Sequence, residues 1–541
     1  MVVVPESADY VVVGAGSAGC AVAARLSEDP SVRVVLLEAG GEARNPWLHI
    51  PIGYAKTMYH PTLSWNLATE PEPNLGGRRV PWPRGRVLGG SSAINGLLYV
   101  RGQAEDYDHW RQLGCTGWSY QDVLPYFRRS EANERGESAL HGGSGPLRVS
   151  DLREKNPLAL AFIDAAAELG FPRNDDFNGA TQEGAGLYQT TSHKGWRISA
   201  ASAYLKPARN RPNLVVVTEA HSTGLAMEGR RCAGVRFRRH GAALTVRATR
   251  EVILCGGAIA SPHLLLLSGI GPAEHLQEVG IPVVQDLRDV GRNLQDHFQA
   301  RPAWRVTQPV SLNTRRHSLL GQAMMGLEFA LRRTGPLTVS AGTAGLFARV
   351  LPGSATPDVQ YHFLPFSTDK TMMELHTFPG LTISACQLRP ESRGTITLAG
   401  PDPMAKARIH ANYLATETDR RCLVEGVKLA RRLAATKAMA PWIAAEVNPG
   451  SDSVRTDDEI LDWIRRSGGT IYHPSGTCRM GGDPESVVDP ELRVRGIEGL
   501  RVADASVMPT VVSGNTNAPA IMIGEKCADM VKAAARQRLA A

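Results

Sequence analysis

The first forty residues of this chain constrain its fold more than any other stretch. Residues 9–13 (DYVVV) have the pattern of a short buried strand, the glycine turn GAGSAG follows at residues 14–19, and residues 21–26 have a helical pattern. A second apolar run covers residues 32–37 and ends at Glu38. A strand, a glycine turn, a helix and a second strand in this order predict a βαβ unit of a parallel sheet.

The glycine spacing predicts a dinucleotide site. Gly14 permits a tight turn, Gly16 lets a pyrophosphate approach the backbone, and Gly19 lets helix and strand pack closely. The helix N-terminus offers free N–H groups to the phosphate, and Glu38 is placed to accept both ribose hydroxyls. The predicted binding residues of this unit are Gly14, Gly16, Ser17, Ala18, Gly19, Glu38 and Ala39. An ordinary glycine turn in a sheet protein is the alternative, and the motif alone does not separate NAD from FAD.

Length and charge set the outer limits of the interpretation. A chain of 541 residues exceeds one comfortable core, so we expect two or more domains. Hydrophobic residues make up 43% and charged residues 21%, as in globular proteins. The net charge is +7, but 60 basic and 53 acidic residues are interspersed. We therefore predict solvated charged faces and no nucleic-acid partner.

The cysteines and the N-terminus bear on location. The eight cysteines form no CxxC pair and lie far apart, which favours reduced thiols in a cytosolic enzyme. Residues 1–10 have no basic n-region and no long apolar segment, so no signal peptide is predicted. No metal site is expected, because His473 and Cys478 would be two candidate ligands where a structural zinc takes four. The predicted location is cytoplasmic.

Residues 318–333 have an amphipathic pattern that ends in two arginines. Such a helix could lie on the inner face of a membrane. We favour a helix packed inside a domain, because two glycines weaken any free-standing helix. No window approaches the roughly 18 apolar residues of a spanning helix. Membrane contact would therefore be at most peripheral.

The rest of the chain alternates between two kinds of sequence pattern: strand–glycine–helix units and alternating apolar runs with few glycine turns. A second strand–glycine–helix unit at residues 251–267 fits the same parallel sheet, whereas residues 213–218 and 234–238 have the pattern of strands in a separate meander. Residues 300–470 have fewer glycine turns and alternating apolar runs, which predict an antiparallel sheet in a substrate-covering domain. Residues 134–156 look like a linker. Their HGG segment resembles the oxyanion loop of lipase-type hydrolases, but the chain has no GxSxG nucleophile turn.

Four blocks of sequence together carry a family resemblance. They are GAGSAG with Glu38, RGRVLGGSSAING at 84–96, GGAIASPHLLLLSGIG at 256–271, and HPSGTCRMG at 473–481 paired with SGNTNAPAIMIGE at 513–525. Nearly from end to end, the chain resembles the glucose–methanol–choline (GMC) family of flavin oxidoreductases. Within that family it is most similar to bacterial FAD-dependent alcohol dehydrogenases and to choline-dehydrogenase-like proteins.

The resemblance implies a fold and a cofactor. The fold class is α/β combined with α+β: a Rossmann-like FAD-binding domain of the p-hydroxybenzoate-hydroxylase type, with an inserted substrate domain built on an antiparallel sheet flanked by helices. The FAD-binding domain would comprise residues 1–155, 210–300 and 470–541, and the substrate-binding domain residues 156–209 and 301–469. The changes in sequence pattern along the chain predict the same alternation of the two domains.

The resemblance also assigns cofactor contacts beyond the first unit. The GGSS segment would embrace the flavin and pyrophosphate, and two later segments would contact the ribityl chain and the pyrimidine edge. The residues implied are Trp65, Arg84, Gly89, Gly90, Ser91, Asn95, Gly96, Leu97, Asp504, Ala505, Asn515, Asn517 and Ala518. Some family members attach FAD through a histidine at the position of Ile94. An isoleucine cannot form that bond, so the FAD is expected to be noncovalent.

His473 and Asn515 match the family's catalytic pair. Oxidation of an alcohol removes a proton from oxygen and transfers a hydride from carbon to flavin N5. Histidine suits the proton step because its ordinary pKa lies near 6.5, and a developing alkoxide needs a hydrogen-bond donor. By resemblance, His473 abstracts the proton and Asn515 holds the substrate oxygen.

The substrate prediction depends on a few positions. In choline-oxidising relatives a carboxylate two residues after the DH of NLQDH binds the trimethylammonium group, and that position here is Gln299. Leu98, Phe363 and Tyr472 match pocket positions of relatives, and their apolar or aromatic character favours an uncharged primary alcohol that is oxidised to the aldehyde. Packing residues are the alternative reading of these three.

Several alternatives stay open at the level of sequence. A choline dehydrogenase or a sorbose or polyol dehydrogenase of the same fold is the nearest alternative. A flavoprotein that kept only a binding role would be expected to have lost His473 or Asn515, and both are present. The electron acceptor is expected to be O2 or a quinone or other redox carrier, and the sequence does not decide between them.

Overall fold

Two large sheets organise the computed structural model, which describes residues 3–368 and 374–540. The strands of these sheets are, in chain order, β1 (Ser7–Val13), β2 (Val34–Leu37), β3 (Gly184–Leu187), β4 (Leu214–Val217), β5 (His221–Glu228), β6 (Arg231–Arg239), β7 (Ala242–Leu254), β8 (Phe298–Ala300), β9 (Ala303–Val306), β10 (Ala344–Ala348), β11 (Val359–Leu364), β12 (Gly380–Gln387), β13 (Ile443–Asn448), β14 (Gly469–Thr470) and β15 (Leu500–Val502). Short two-stranded pairings lie outside them, at Leu67–Ala68 with Pro81–Trp82, Glu131–Asn133 with Leu147–Val149, Ser192–His193 with Trp196–Arg197, Ile270–Gly271 with Gln285–Asp286, and Thr395–Thr397 with Arg408–His410.

Helices cover the sheets and connect them. The principal helices are α1 (Ser17–Leu26), α2 (Ala104–Gln112), α3 (Tyr120–Ser130), α4 (Pro157–Glu168), α5 (Gly257–Leu267), α6 (Leu312–His317), α7 (Leu319–Arg332), α8 (Glu417–Ala434), α9 (Asp457–Ser467) and α10 (Asn517–Ala540). Shorter helices cover Tyr54–Thr57, Lys206–Ala208 and Ala273–Glu278.

The first sheet contains the predicted βαβ unit. Strands β4, β2, β1 and β7 pair in parallel, and β15 adds to β7 in the same sense. Strand β7 is long: its first half pairs antiparallel with β6, and its second half runs parallel to β1. The strand predicted at residues 213–218 is therefore β4, at one edge of the parallel sheet rather than in a separate meander. Its buried apolar register against β2 favours the sheet.

The second sheet is antiparallel, as predicted. Its strand order is β13-β9-β12-β11-β10-β3, and β8 pairs with β12 and with β14. One face packs against the apolar sides of α4 and α8, where Phe162 and Leu429 meet buried strand residues. The opposite face of β11 and β12 is left to line a cavity.

Two segments join a different sheet from the one that the predicted domain ranges imply. Residues 200–208 join the large core of the first sheet, although they fall in the range predicted for the substrate domain. Strand β8 (Phe298–Ala300) joins the second sheet, although it falls in the range predicted for the FAD-binding domain. The bounds themselves stay a prediction. Residues 1–2, 369–373 and 541, which those ranges include, lie outside the described residues.

Part of the segment predicted to be a linker is packed into the fold: residues 134–139 are exposed, whereas His141 and Gly142 are buried. His141 is buried between two carboxylates: its Nε2 lies 2.8 Å from Asp176 Oδ2 and its Nδ1 lies 3.1 Å from Glu131 Oε1. Although burial opposes it, these contacts raise the pKa of His141 to about 9. Arg101 pairs with the same Glu131 at 2.5 Å. The HGG segment therefore contributes to a buried ion-pair network, and the linker interpretation is wrong for this part of residues 134–156.

Helix α7 lies on the surface, contrary to the packed helix that we favoured from the sequence. Only Met325 and Phe329 are buried: Met325 belongs to a hydrophobic cluster with Leu312 and Phe366, and the ring of Phe329 packs edge-on against Trp196. Leu319 and Leu331 are 85% and 74% exposed, and three more large apolar side chains beside them are also exposed: Leu320, Met324 and Leu327. No helix in residues 3–368 and 374–540 is long and apolar enough to cross a membrane.

The eight cysteines are unpaired thiols. Each is buried, and none forms a disulfide. Burial raises the pKa of Cys232 to about 11, so the neutral thiol prevails at neutral pH. The prediction of reduced cysteines is therefore confirmed.

Candidate active site

A cavity of about 410 Å³ is lined by residues of both large sheets. Its first part lies at the carboxyl ends of β1, β2 and β7, where an open parallel sheet places its ligands. Its second part is bounded by β8, β11 and β12 of the antiparallel sheet. The cavity thus joins the predicted dinucleotide turn to the predicted catalytic residues.

Gly14 and Gly19 make the close approaches that their spacing predicts. Gly14 has a φ of +99°, and a Cβ there would lie 2.6 Å from the carbonyl oxygen of Cys255. A Cβ on Gly19 would lie 1.9 Å from the carbonyl oxygen of Gly14, so only glycine lets α1 approach the turn. A Cβ on Gly16 would meet nothing closer than 3.9 Å and would project into the cavity instead. The structure therefore leaves room at Gly16 for a ligand.

The N-terminus of α1 faces the same space. Its N-cap residue is Gly16, no side chain caps it, and its first turn contains no acidic residue. Ser17 and Ala18 line the cavity. Unsatisfied N–H groups with a partial positive charge fit the pyrophosphate of a dinucleotide.

Glu38 lies at the end of β2 and lines the cavity. Its carboxylate accepts the N–H groups of Ala15 at 2.9 Å and Gly40 at 2.7 Å. Burial raises the pKa of Glu38 to about 7, against the opposing effect of those two bonds. A ribose would bring hydroxyl donors to this carboxylate and favour its charged form.

Most of the predicted cofactor residues line this cavity. They are Gly14, Gly16, Ser17, Ala18, Glu38, Ala39, Trp65, Arg84, Gly90, Ser91, Asn95, Gly96, Leu97, Asp504, Ala505, Asn515 and Asn517. Gly19, Gly89 and Ala518 do not reach it. Gly89 instead adopts a φ of +95° and donates its N–H to the carbonyl oxygen of Ala15, which fixes the turn behind the cavity.

Sequence reasoning missed two groups at the cofactor end. Residues 256–260 line the cavity beside the first glycine turn. The sequence pattern predicts a second sheet unit there and contributes to the family resemblance, but no cofactor contact was predicted for these residues. Asp504 holds this loop, because its carboxylate accepts the N–H of Gly257 at 2.8 Å and the hydroxyl of Ser261 at 2.6 Å. His221 also lines the cavity and packs edge-on against Trp65, and its buried Nδ1 has no hydrogen-bond partner among the described residues. An unmatched polar atom here fits a ligand with polar groups.

His473 and Asn515 meet at the other end of the cavity. His473 Nε2 lies 3.3 Å from Asn515 Nδ2, and His473 is 8% exposed. Asn515 Oδ1 accepts a hydrogen bond from Gln360 Nε2 at 3.3 Å, so the amide directs its NH2 group towards the imidazole. The backbone N–H of His473 donates to Asp296 Oδ1 at 2.7 Å. The pair that the resemblance predicted is therefore assembled in three dimensions.

A second histidine determines which nitrogen of His473 carries the proton. His297 Nε2 lies 3.0 Å from the carbonyl oxygen of Leu388, which can only accept, so this nitrogen donates. Burial lowers the pKa of His297 to about 4, so the ring is neutral and its Nδ1 accepts. His473 Nδ1 lies 3.0 Å away and must donate to it. The lone pair of His473 is thereby placed on Nε2, beside Asn515.

His473 is also held neutral. Burial, followed by the neighbouring His297, His362 and Arg84, lowers the pKa of His473 well below its usual range. A neutral imidazole with its lone pair on a cavity-facing nitrogen can accept a proton. Sequence reasoning did not find His297, although it is the H of the NLQDH segment, because its contact with His473 spans 176 residues.

Two backbone conformations are unusual at this end. Leu97 and Tyr472 have φ values of +68° and +69°, in the left-handed region that side chains with a Cβ seldom adopt. Both line the cavity. The Tyr472 carbonyl oxygen accepts Arg84 Nη2 at 2.7 Å, and its hydroxyl lies 3.0 Å from that of Tyr59. Such strain persists where the surroundings fix it, as at ligand sites.

The predicted substrate residues are placed differently from one another. Leu98 and Tyr472 line the cavity. Phe363 does not: it is fully buried on the other face of β11, with its ring centroid 4.9 Å from that of Phe162. Successive side chains of a strand point to opposite faces, so its neighbour His362 lines the cavity instead. The assignment of Phe363 to the substrate pocket is therefore corrected.

The wall of the cavity is also less apolar than predicted. Gln299 and Arg301 line it at the end of β8, together with Ser384 of β12. No signal in the sequence singled out Arg301, because its place depends on the pairing of β8 with a strand about ninety residues further on.

Comparisons with known proteins agree with this geometry. Residues 8–299 and 390–524 match the N-terminal and C-terminal sequence profiles of the GMC oxidoreductases. The chain is 44% identical to an oxygen-dependent choline dehydrogenase of Brucella ovis, over 97% of this chain and 95% of that protein. It is 43% identical to an alcohol dehydrogenase (acceptor) of Pseudomonas putida, again over 97% and 95%.

A solved structure supports the same conclusion. Pyridoxine 4-oxidase from Mesorbium loti superposes with a TM-score of 0.88 at 31% identity, over 97% of this chain and 99% of that one. The predicted family, fold class and FAD cofactor are confirmed. The chain therefore belongs to the GMC oxidoreductase family, whose members bind FAD and act on CH–OH donors.

Proposed function

We propose that this protein oxidises a primary alcohol to the aldehyde, with His473 as the base and Asn515 as the group that holds the substrate oxygen. The observation that carries the proposal is the hydrogen-bond chain from Leu388 through His297 to His473, which leaves a neutral Nε2 lone pair beside the Asn515 amide. FAD, when bound, supplies the acceptor for the hydride that leaves the carbinol carbon.

The protein groups divide the remaining work. His473 Nε2 takes the hydroxyl proton, while its Nδ1–H continues to donate to His297. The Asn515 NH2 group donates to the oxygen as its negative charge develops, where a fixed dipole stabilises it most. Asp296 holds the backbone of His473 in place, because its carboxylate accepts hydrogen bonds from the His473 N–H and from the Thr470 hydroxyl.

Choline is the alternative that the relatives suggest, and the cavity argues against it. The carboxylates among the described lining residues are Glu38 and Asp504, and both lie at the cofactor end. At the wall of the second sheet a trimethylammonium group would meet Gln299 and the guanidinium of Arg301. Like charges in a partly buried site repel each other. A sorbose or polyol dehydrogenase stays an alternative that the same assay tests.

The proposal is tested by an anaerobic visible spectrum of the purified holoenzyme. We expect the flavin bands to bleach on addition of a primary alcohol and to persist with choline. His473→Ala should retain the yellow cofactor and lose about 10³-fold or more in the rate of bleaching, and Asn515→Ala should lose about 10²-fold. Unchanged rates in His473→Ala would overturn the base assignment. Admission of air, or of a quinone, to the reduced enzyme then identifies O2 or a carrier as the electron acceptor.

Peripheral membrane contact through α7 is part of the proposal. The exposed side chains Leu320, Met324, Leu327 and Leu331 follow one another at helical spacing, so they form a single apolar stripe. Exposed Arg316 precedes this stripe and exposed Arg332 ends it. Such an apolar stripe with basic flanks suits the interface of an anionic lipid surface. The protein would therefore lie at the inner face of the membrane.

A further inference from the structure

The substrate end of the cavity contains a cation without a counter-charge. Arg301 follows β8 directly, lines the cavity and is partly buried. No carboxylate of residues 3–368 and 374–540 lies within ion-pair distance of its guanidinium. With the Gln299 amide oriented to satisfy both groups, Gln299 Oε1 accepts from Arg301 Nε and Nη2 at 3.1 Å each. One neutral amide is thus the partner of a full positive charge.

The other two cations of the cavity, Arg84 and Lys406, also have neutral hydrogen-bond partners, which are backbone carbonyl oxygens. Arg84 donates to the carbonyl oxygens of Pro83 at 2.7 Å and Tyr472 at 2.7 Å. Lys406 Nζ donates to the carbonyl oxygen of Asn66 at 3.0 Å. Arg301 differs because it lies on the second sheet, away from the glycine turn that receives the pyrophosphate. A cation that is removed from water without a counter-ion is costly, and a bound anion offsets that cost.

A second group that lines the same cavity has a polar atom without a partner among the described residues. His362 lines the cavity at 5% exposure, stacks on Tyr188, and has a buried Nδ1 without a hydrogen-bond partner among the described residues. His362 on β11 pairs with Ser384 on β12, and β12 also pairs with β8, which Arg301 follows. Burial, followed by the neighbouring His297 and Arg301, lowers the pKa of His362 to about 3, so it is a neutral hydrogen-bonding group.

The position of this pair relative to His473 gives it a role. Arg301 and His362 line the same cavity as His473 and Asn515. Arg301 follows β8 and His362 lies on β11, and both of these strands pair with β12. His473 contacts Asn515, whereas Arg301 contacts Gln299, so the two pairs are separate groups of one cavity. A carboxylate bound by Arg301 and His362 would therefore belong to a part of the substrate other than the reacting hydroxyl.

We propose that the substrate is an alcohol that carries a carboxylate, a hydroxy acid, and that Arg301 and His362 bind this carboxylate while His473 and Asn515 hold the hydroxyl. The planar guanidinium can donate two parallel hydrogen bonds to a carboxylate, the geometry in which arginine binds such groups most strongly. The inference rests on the proposed function for the position of the hydroxyl. It replaces the uncharged alcohol expected from the sequence, because the cavity wall contains Arg301 where apolar residues were predicted.

Binding of an unreactive carboxylate tests the anion site without turnover. The holoenzyme is titrated with hexanoate and with hexanamide, a neutral compound of the same length, by calorimetry and by the perturbation of the flavin bands. We expect hexanoate to bind at least tenfold more tightly than hexanamide. Arg301→Gln should abolish this preference and Arg301→Lys should keep part of it. Arg288→Gln, which removes a charge from a side chain that is 80% exposed, is the matched control and should keep all of it.

Turnover then links the anion site to the reaction. Anaerobic flavin reduction is compared for 6-hydroxyhexanoate and 1,6-hexanediol. For each substrate, the rate of flavin reduction is divided by the substrate concentration that half-saturates it. Arg301→Gln should lower this ratio tenfold or more for the acid and change it less than threefold for the diol. A carboxylate preference in binding with no bleaching by any alcohol would refute the proposed function and leave the anion site standing. Equal binding of hexanoate and hexanamide, or a preference that survives in Arg301→Gln, would overturn the inference.

Discussion

His297 Nδ1 accepts the Nδ1 proton of His473 across 3.0 Å, and the two rings stand nearly perpendicular, at 76°. The carbonyl oxygen of Leu388 sets the orientation of His297 from the other side. A backbone acceptor thus fixes, through two imidazoles, the nitrogen that faces the substrate. Second partners of this kind commonly determine the tautomer of a functional histidine.

Removal of His297 should therefore impair the base without touching the substrate. In His297→Ala the Nδ1 proton of His473 loses its acceptor, and both tautomers become populated. We expect the rate of anaerobic flavin reduction to fall about 10²-fold, with little change in the concentration of alcohol that half-saturates it. His297→Asn supplies an amide oxygen to accept from His473 and an NH2 group to donate to Leu388, and it should recover much of the rate. A merely structural role would give Ala and Asn variants with equal rates.

Gly16 offers a test of the cofactor site. A Cβ at this position would project into the cavity, so Gly16→Val should fold and bind FAD less tightly. We expect at least a tenfold increase in the dissociation constant of FAD, measured by quenching of flavin fluorescence as the apoprotein is titrated. Gly41→Ala is the matched control, because a Cβ there meets no atom within 4 Å and Gly41 does not line the cavity. Equal affinities in the two variants would contradict this placement of the pyrophosphate.

The His141 network makes stability depend on pH. The pKa of His141 is raised to about 9, against burial, by Asp176 and Glu131. A raised histidine pKa stabilises the folded protein fully below about pH 6.5, and this contribution is lost as pH rises through 9. A shift of this size corresponds to at most about 3 kcal/mol.

The thermal midpoint of the wild type should accordingly fall between pH 6.5 and 9 more steeply than that of His141→Gln, which has no titrating group at this position. Circular dichroism of the holoenzyme at matched ionic strength measures both profiles. Parallel profiles would show that the charge on His141 contributes nothing to stability.

How much could be predicted from the sequence depends on how local each feature is. The first βαβ unit could be predicted because its signal is local: Gly14, Gly16 and Gly19 lie within six residues of sequence. His473 and Asn515 were assigned by resemblance, since nothing in their spacing implies that their side chains meet. His297 lies in a segment that was noted for another reason, and its contact with His473 depends on tertiary structure alone.

The errors also have physical causes. Phe363 and His362 differ by one position on β11, and a strand sends successive side chains to opposite faces, so a shift of one residue exchanges core for cavity. The amphipathic pattern of α7 showed an apolar stripe but not whether that stripe faces the core or the outside. A role for Arg301 could not be predicted from the sequence, because it depends on the tertiary structure, which places Arg301 on the cavity wall without a carboxylate partner among the described residues.

The exposed stripe of α7 predicts binding to anionic vesicles. Burial of one leucine side chain contributes about 1.5–3 kcal/mol, so Leu320→Ser with Leu327→Ser should weaken partition by roughly 3 kcal/mol, about a hundredfold. Co-sedimentation with phosphatidylglycerol vesicles measures the effect, and added salt should lower binding of the wild type because Arg316 and Arg332 are screened.

A control separates this stripe from general loss of surface hydrophobicity. Leu244 is 37% exposed on β7, far along the chain from α7 and outside the stripe. Leu244→Ser should therefore sediment with the vesicles as the wild type does. A wild type that stays in the supernatant at low salt, or a double variant that still sediments, would remove the membrane from the proposal and leave the apolar stripe to be explained as a contact with another protein surface.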